Sequence, residues 1–227
     1  MRLTKIGVIK LIKAIIFDWS GVLSDDWLAT YYAAQEVLEL RGLKTVSKEE
    51  FRELYDIPWP NFYKNFNIAI DMAEEHKLWE KTMPKHLHLI KPYAFAEKLL
   101  QNFRSANIKI IILSARTKAP LEKEIKSHGF EKLIDALYSA HDNKKDVIHT
   151  LLITEKLDPE EVIYIGDMPH DVETAKHAGV ISVAVLEGYS TPEKLKKENP
   201  NYLIKNAEEL PGLVDKINKE QNTLNTR

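Results

Sequence analysis

Apolar residues in this chain fall in short dense runs separated by longer stretches of helical periodicity. Residues 11–17 (LIKAIIF), 108–113 (IKIIIL), 162–165 (VIYI) and 181–185 (ISVAV) are rich in Ile and Val. They are near-continuous rather than alternating, as expected of strands buried on both faces of a parallel sheet. Residues 136–138 and 202–204 carry a fainter version of the same pattern. Between these runs, residues 93–105, 119–128, 145–155, 172–178 and 207–219 repeat apolar positions at helical spacing. Gly129 and Gly179 stand where helix C-terminal glycines belong, and Thr191-Pro192 has the form of an N-cap followed by proline at the first helical position. Strand and helix alternating in this way predict an α/β fold built on a doubly wound parallel sheet.

One segment breaks the alternation. Residues 25–90 hold no convincing strand, only helical periodicity with Trp27, Tyr31, Tyr32, Trp59, Phe62, Phe66 and Trp79, which are read as a small helical core. Ser47-Lys48-Glu49-Glu50 is a capping box that opens one helix, and Pro58 and Pro60 interrupt the next. The expected division is an α/β core of residues 1–24 and 92–227, with an all-helical insertion of residues 25–91 after the first strand. The polar residues 220–227 are expected to fray.

Composition narrows the function classes. With 227 residues, 44% hydrophobic and 29% charged, the chain suits a globular core with a modest insertion and not a disordered segment. Lys and Arg total 32 against 34 Asp and Glu, a net charge of -2 that argues against a nucleic-acid partner. Cysteine is absent, which removes disulfides, thiolate nucleophiles and Cys-based metal sites. The opening residues are faintly like a secretory leader. Lys10 and Lys13 interrupt the apolar stretch, Asp18 ends it, and no small-residue cleavage site follows. No run approaches the roughly 20 apolar residues of a membrane span. A soluble, cytoplasmic protein without a membrane partner is expected.

Candidate chemistry lies in four places, each just past a predicted strand, where ligands of open α/β sheets bind. The first is Asp18-Trp19-Ser20-Gly21, in which a strand-tip carboxylate can act as nucleophile or metal ligand and Gly21 permits a tight turn. The second is Ser114-Ala115-Arg116, a hydroxyl, a backbone amide and a guanidinium suited to phosphate oxygens. In the third, Asn143-Lys144-Lys145-Asp146, a lysine opens a helix, against the helix dipole but suited to offsetting phosphate charge. The fourth is Gly166-Asp167-Met168-Pro169-His170-Asp171, whose two carboxylates suit magnesium, with Asp167 on the ion and Asp171 behind it or at a helix N-cap.

In this order and at these strand ends, the four segments resemble the motifs of the haloacid dehalogenase-like hydrolase superfamily: IIFDWSGVL, ILSAR, Lys144 and YIGDMPHD. The likeness extends to Lys91-Pro92-Tyr93, to AKHAGV at 175–180, and to LEGYSTPEKL followed by NYLIKNAEEL, and so covers most of residues 11–215. A helical insertion between the first two motifs is where that superfamily carries its C1 cap, as in its phosphoglycolate phosphatase-like subgroup.

The resemblance implies a Mg²⁺-dependent phosphatase acting on a small phosphorylated metabolite. Asp18 would be the nucleophile that becomes an aspartyl-phosphate, and Asp18, the Ser20 carbonyl, Asp167 and Asp171 would form the metal site. Trp19, Ser114, Ala115, Arg116 and Lys144 would surround the phosphoryl group, with Lys145 as the fallback lysine. The cap segment 51–66 (FRELYDIPWPNFYKNF) would read the rest of the substrate. Either a monomer or a homodimer fits. One departure matters: most such phosphatases carry a second aspartate two residues after the nucleophile, and here that residue is Ser20. Either another carboxylate, Asp25 or Asp26, substitutes for it, or turnover depends on activated leaving groups, or the chemistry differs.

Asp18-Trp19-Ser20-Gly21 is also similar to the Asp-Trp-Ala-Gly-Thr of phosphonatases, which use a cap lysine as a Schiff base; Lys44, Lys48, Lys64 and Lys77 are the lysines open to that role. True dehalogenation conflicts with the intact GDMPHD, and mutase chemistry with the missing aspartate. A degenerate, non-catalytic member that binds Mg²⁺ or a phosphorylated ligand is the remaining alternative. His86 and His88 are read as exposed or hinge-packing residues, and His170 as bordering the site without a catalytic role.

Overall fold

In the computed structural model, residues 11–140 and 143–225 are described. The opening stretch weighed against a secretory leader falls largely on residues 1–10, outside the described residues. The main sheet consists of β1 (Ala14–Phe17), β4 (Lys109–Ser114), β5 (Ala136–Ser139), β6 (Val162–Gly166), β7 (Ile181–Val185) and β8 (Tyr202–Ile204). Its strand order is β5-β4-β1-β6-β7-β8, and every pairing is parallel. The chain therefore builds outward from β1 in one direction, returns, and builds outward in the other. That switch leaves a crevice at the carboxyl end of β1.

Both faces of the sheet are covered, which is why the strands read as unbroken apolar runs. Successive β residues point to opposite faces, so Ile15 and Phe17 pack into one core with Ile110, Ile112, Ile163 and Ile165. Helices α5 (Ala96–Ser105), α6 (Lys118–Ser127) and α10 (Leu210–Asn225) close that side through Leu100, Leu121 and Leu210. Ala14 and Ile16 face the other way, against Ile148 and Leu151 of α7 (Lys144–Glu155) and Ala175 of α8 (Pro169–Ala178).

Between β1 and α5 the chain leaves the sheet. Two-residue strands β2 (Ser24–Asp25) and β3 (Lys91–Pro92) pair antiparallel at the point of departure and return. Between them lie α1 (Trp27–Leu40), α2 (Lys48–Leu54), α3 (Trp59–Lys64) and α4 (Met72–Thr82), followed by a 3-10 turn at Met83–Leu89. Buried Phe51, Phe62 and Tyr63 centre a separate cluster to which Trp27, Tyr31, Trp59, Phe66 and Trp79 add their rings. This is the aromatic core expected of a helical cap. The capping box forms as read: Glu50 N–H donates to Ser47 Oγ at 3.1 Å, and Ser47 N–H donates to Glu50 Oε2 at 2.7 Å.

Three local readings are revised. Pro58 and Pro60 start α3 rather than interrupt it, since Pro58 is its N-cap and Pro60 lies in its first turn, where no amide hydrogen is needed. The polar tail is not frayed throughout, because α10 runs to Asn225. Asp171 is not an N-cap: it is the third residue of α8, and its Oδ2 accepts the Met168 N–H at 3.0 Å. No helix among the described residues is long and apolar enough to cross a membrane.

Phe51 meets Trp27, Tyr31, Tyr55 and Phe62 at ring separations of 5.2–6.2 Å. Truncating such a buried ring leaves a cavity costing about 3–5 kcal/mol. Phe51→Ala should lose that much in urea unfolding, whereas Tyr32→Ala, at a residue 40% exposed, should lose about 0.5 kcal/mol or less.

Candidate active site

Sheet register brings three of the four sequence segments to one edge. Phe17 pairs with Ile112 on one side and Ile165 on the other, so Asp18, Ser114 and Asp167 all project from strand ends around β1. Asp18 N–H donates to Ile165 O at 2.9 Å, which extends the β6 ladder into the first-motif loop. The remaining segment, 143–146, arrives from α7, whose N-cap Asn143 accepts the Lys145 N–H and leaves Lys144 as the first helical residue.

Lys144 is buried, with Nζ 2.8 Å from Asp18 Oδ1 and 2.7 Å from Asp171 Oδ1. Lys145 points elsewhere and pairs with Glu173 at 2.6 Å, so the structure brings Lys144 to the carboxylates and leaves the fallback lysine outside. Burial opposes the charge on Lys144, but Asp171 and Asp18 outweigh it and raise the pKa of its ammonium.

Asp18, Asp167 and Asp171 place carboxylate oxygens within 4.8 Å of one another, all buried. One ammonium among three carboxylates leaves the site short of positive charge. Burial pushes Asp18 up to about 7, with Lys144 opposing and Asp171 adding to the rise. Burial likewise raises Asp167 well above the usual carboxylate range, with the Asp18 and Asp171 charges adding. Asp171 alone is lowered: burial works against its ionisation, but His170 and Lys144 prevail.

The carboxylates are also unequally committed. Asp171 accepts from Lys144 Nζ, the Tyr164 hydroxyl at 2.8 Å and the Met168 N–H. Asp167 Oδ2 accepts the Tyr189 N–H at 2.6 Å, while its Oδ1 is buried without a partner. A Cβ on Gly21 or Gly188 would overlap the Asp167 carboxylate, so only glycine lets the backbone come this close. All-oxygen donors, a charge deficit and an orphaned carboxylate oxygen fit a hard divalent cation.

The other predicted residues form a second network. Ser114 is buried at the end of β4, and its Oγ accepts the Arg116 N–H at 3.3 Å. The Arg116 guanidinium turns to Glu124 at 2.6 Å and Asp26 at 3.6 Å. Trp19 is buried against His128 and Phe130 at 5.8 and 6.2 Å, and its indole N–H donates to Glu124 Oε1 at 2.7 Å. The structure thus directs the Trp19 and Arg116 side chains to Glu124. Ser20 Oγ donates to Asp26 Oδ2 at 2.6 Å, which makes Asp26, and not Asp25, the carboxylate behind the first-motif serine. Burial raises Asp26, with Arg116 opposing. The Tyr189 hydroxyl donates to Asp26 Oδ1 at 2.8 Å. His86 pairs with Glu36 at 2.8 Å on the cap, in keeping with a packing role.

Glu124, Tyr164 and Tyr189 are given no role by sequence reasoning, whereas Tyr55 lies in segment 51–66, the stretch expected to read the substrate. Tyr189 lies in LEGYSTPEKL, a segment that had a pattern but no assigned role. Glu124 carries no role in the sequence, because the Trp19 and Ser24 groups that it gathers beside Arg116 lie about a hundred residues away in the chain.

Residues 15–185 match the family model of the haloacid dehalogenase-like hydrolases. A phosphoglycolate phosphatase from Synechococcus elongatus is 22% identical, covering 92% of this chain and 100% of its own. Pyrophosphatase PpaX from Bacillus velezensis is 23% identical, over 88% of this chain and 95% of its own. Among solved structures, a haloacid dehalogenase-like hydrolase from Streptococcus pneumoniae superposes with a TM-score of 0.79 at 22% identity, covering 89% of this chain and 98% of its own.

Glu124 yields a pH prediction. Burial raises its carboxyl, but Arg116, Ser24 and Trp19 prevail and hold it below its ordinary 4.5. A lowered acid contributes stability that is present above the ordinary value and is lost as pH falls through the lowered one. Glu124→Gln should therefore cost about 1.5–3 kcal/mol at pH 7. In urea titrations at stepped pH, that difference should shrink as wild type acidifies below about pH 4.5.

Proposed function

The chain belongs to the haloacid dehalogenase-like hydrolase family, and from that membership we propose a Mg²⁺-dependent phosphatase that hydrolyses a small phosphorylated metabolite through an aspartyl-phosphate on Asp18. The observation that carries this reading is the Asp18–Lys144–Asp171 constellation, a carboxylate nucleophile with a buried ammonium 2.8 Å away at the strand ends. The phosphoglycolate phosphatase and pyrophosphatase PpaX relatives support a compact anionic substrate. We place the core at residues 1–24 and 92–227 and the cap at 25–91, hinged where β2 pairs with β3.

Asp18, Asp167 and the Ser20 carbonyl would hold Mg²⁺, with Asp171 behind them. When bound, the ion would supply the missing positive charge and draw off phosphoryl charge. Asp18 attacks phosphorus as the bond to the leaving oxygen breaks, and water then cleaves the acyl phosphate, dividing one difficult displacement into two. The Ser114 hydroxyl, the Ala115 region of backbone and the Lys144 ammonium hold the phosphoryl oxygens, so most of the catalysis is positioning and charge stabilisation. Ser20 and Asp26 together stand in place of the second aspartate. With Asp26 entering protonated and donating to Ser20 Oγ, the Ser20 hydroxyl gives its own proton to the leaving oxygen. The resulting carboxylate accepts from Ser20, the direction of the 2.6 Å hydrogen bond, and takes a proton back through Ser20 Oγ when water attacks. Trp19 and Arg116 act at one remove, setting the first-motif loop and Asp26. The cap excludes water, and segment 51–66 reads the substrate through residues such as Tyr55, whose ring lies 4.9 Å from Tyr189.

A phosphonatase is disfavoured because Lys44, Lys48, Lys64 and Lys77 are all exposed, and a Schiff-base lysine needs a desolvated setting.

Hydrolysis of p-nitrophenyl phosphate should require Mg²⁺ and disappear in Asp18→Asn. Asp26→Asn should slow an alkyl phosphate by about 10²- to 10⁴-fold and p-nitrophenyl phosphate far less, since nitrophenolate leaves without protonation. In thermal unfolding, Mg²⁺ at a hundred times its Kd should add about 2.7 kcal/mol to wild type and much less to Asp167→Asn. A Mg²⁺ shift with no turnover on either ester would favour a binding role. A borohydride-trapped adduct with phosphonoacetaldehyde would favour the phosphonatase.

A further inference from the structure

Tyr189 lies in the loop between β7 and α9 (Pro192–Lys197) and is 3% exposed. Its main chain serves one network and its side chain the other. The backbone N–H fixes Asp167 Oδ2 at 2.6 Å. The hydroxyl lies 2.8 Å from Asp26 Oδ1 and 2.7 Å from Thr30 Oγ1. A phenol has one proton to give. With that proton on the Asp26 carboxylate, Thr30 must be the donor to the phenol oxygen. A directed chain results: Thr30 donates to Tyr189, Tyr189 to Asp26 Oδ1, and Ser20 to the opposite oxygen, Asp26 Oδ2.

The chain joins two bodies. Asp26 and Thr30 stand at the N-terminal end of α1, the first cap helix, whereas Tyr189 and Ser20 belong to the core. Other cap contacts converge on the same loop. The Tyr55 ring, just past α2, packs 4.9 Å from the Tyr189 ring. Arg52 donates to the Gly188 carbonyl, one residue before Tyr189. Lys194 reaches back from α9 to the Tyr55 carbonyl at 3.2 Å. On the core side, a Cβ on Gly21 would come within 3.0 Å of the Tyr189 ring, so the ring also lies against the first-motif loop.

We propose that Tyr189 is a positioning residue that docks the first cap helix so that Asp26 meets Ser20, making the Ser20–Asp26 pair conditional on the cap being seated. This rests on the phosphatase reading above and adds to it the residue through which the cap bears on the proton path. Without the phenol hydroxyl, Asp26 Oδ1 would lose its directional donor and Thr30 its contact with the core, while the Ser20 and Arg116 contacts of Asp26, the Tyr189 ring and the Asp167 contact would remain.

The test pairs kinetics with amide hydrogen exchange on the full chain, in wild type, Tyr189→Phe, Thr30→Val, Asp26→Asn and the Tyr189→Phe/Asp26→Asn double variant. With 2-glycerophosphate as the probe, Tyr189→Phe should lower kcat about tenfold and move KM less than about twofold, the loss of one well-placed hydrogen bond. Thr30→Val should fall in the same direction by less. The double variant should be no slower than Asp26→Asn alone, because Tyr189 acts through that carboxylate. Amides in 27–32 and 48–55 should exchange faster in Tyr189→Phe than in wild type. Losses that multiply in the double variant, a defect confined to KM, or unchanged exchange would each overturn the proposal. A wild type inactive on both esters would instead defeat the phosphatase reading, and the exchange comparison would then decide whether Tyr189 seats the cap.

Discussion

The buried ammonium of Lys144, clamped between Asp18 and Asp171, is the constraint on which the rest of this molecule turns. A charge removed from water is tolerated only when its partners meet it at close range. That requirement pins the end of β1, the start of α7 and the first turn of α8 to one point. Because β1 lies in the middle of the sheet, between β4 and β6, the point falls at the topological switch. The clamp nevertheless leaves the site short of positive charge, since Asp167 completes a trio of buried carboxylates around a single lysine. Burial therefore raises Asp18 and Asp167. That charge imbalance fits a divalent cation.

A second network solves a different problem. Glu124 accepts hydrogen bonds from the Trp19 indole and the Ser24 hydroxyl, and Arg116 pairs with both Glu124 and the Asp26 carboxylate, so the five side chains form one polar group. Where the family resemblance leads one to expect a carboxylate directly on the first-motif loop, this chain has a serine hydroxyl and, behind it, a carboxylate from the base of the cap. That carboxylate thus comes from the start of the helical insertion instead of the first-motif loop. Under the proposed mechanism this arrangement would tie proton transfer to cap position, whereas an aspartate at residue 20 would be in place whether the cap were seated or not.

Much of the architecture was legible because it depends on local patterning. Near-continuous Ile and Val runs marked the strands, and the aromatic, strand-free stretch after β1 marked the cap. The four polar segments at strand ends marked the candidate site. Readings failed where a local pattern admits two outcomes. Pro58 and Pro60 can break a helix or begin one, and they begin α3. Asp171 can cap a helix from outside or from its third residue, and it does the latter while accepting from Lys144 and Tyr164. Lys144 and Lys145 are indistinguishable in sequence. Only the phase of α7 turns the first inward and sends the second to Glu173.

The sequence by itself determined the layering, the place of the insertion and the types of group brought to the strand ends, because hydrophobic period and turn chemistry act over a few residues. Tertiary structure alone decided the partners. Glu124 meets Trp19, Asp26 meets Tyr189, and Tyr55 stacks near Tyr189 across separations of about a hundred residues or more. Those contacts depend on how the sheet is ordered and how the cap leans on the core, so no local signal announces them. They are settled when buried polar groups must find partners in the one packing that also buries the apolar faces.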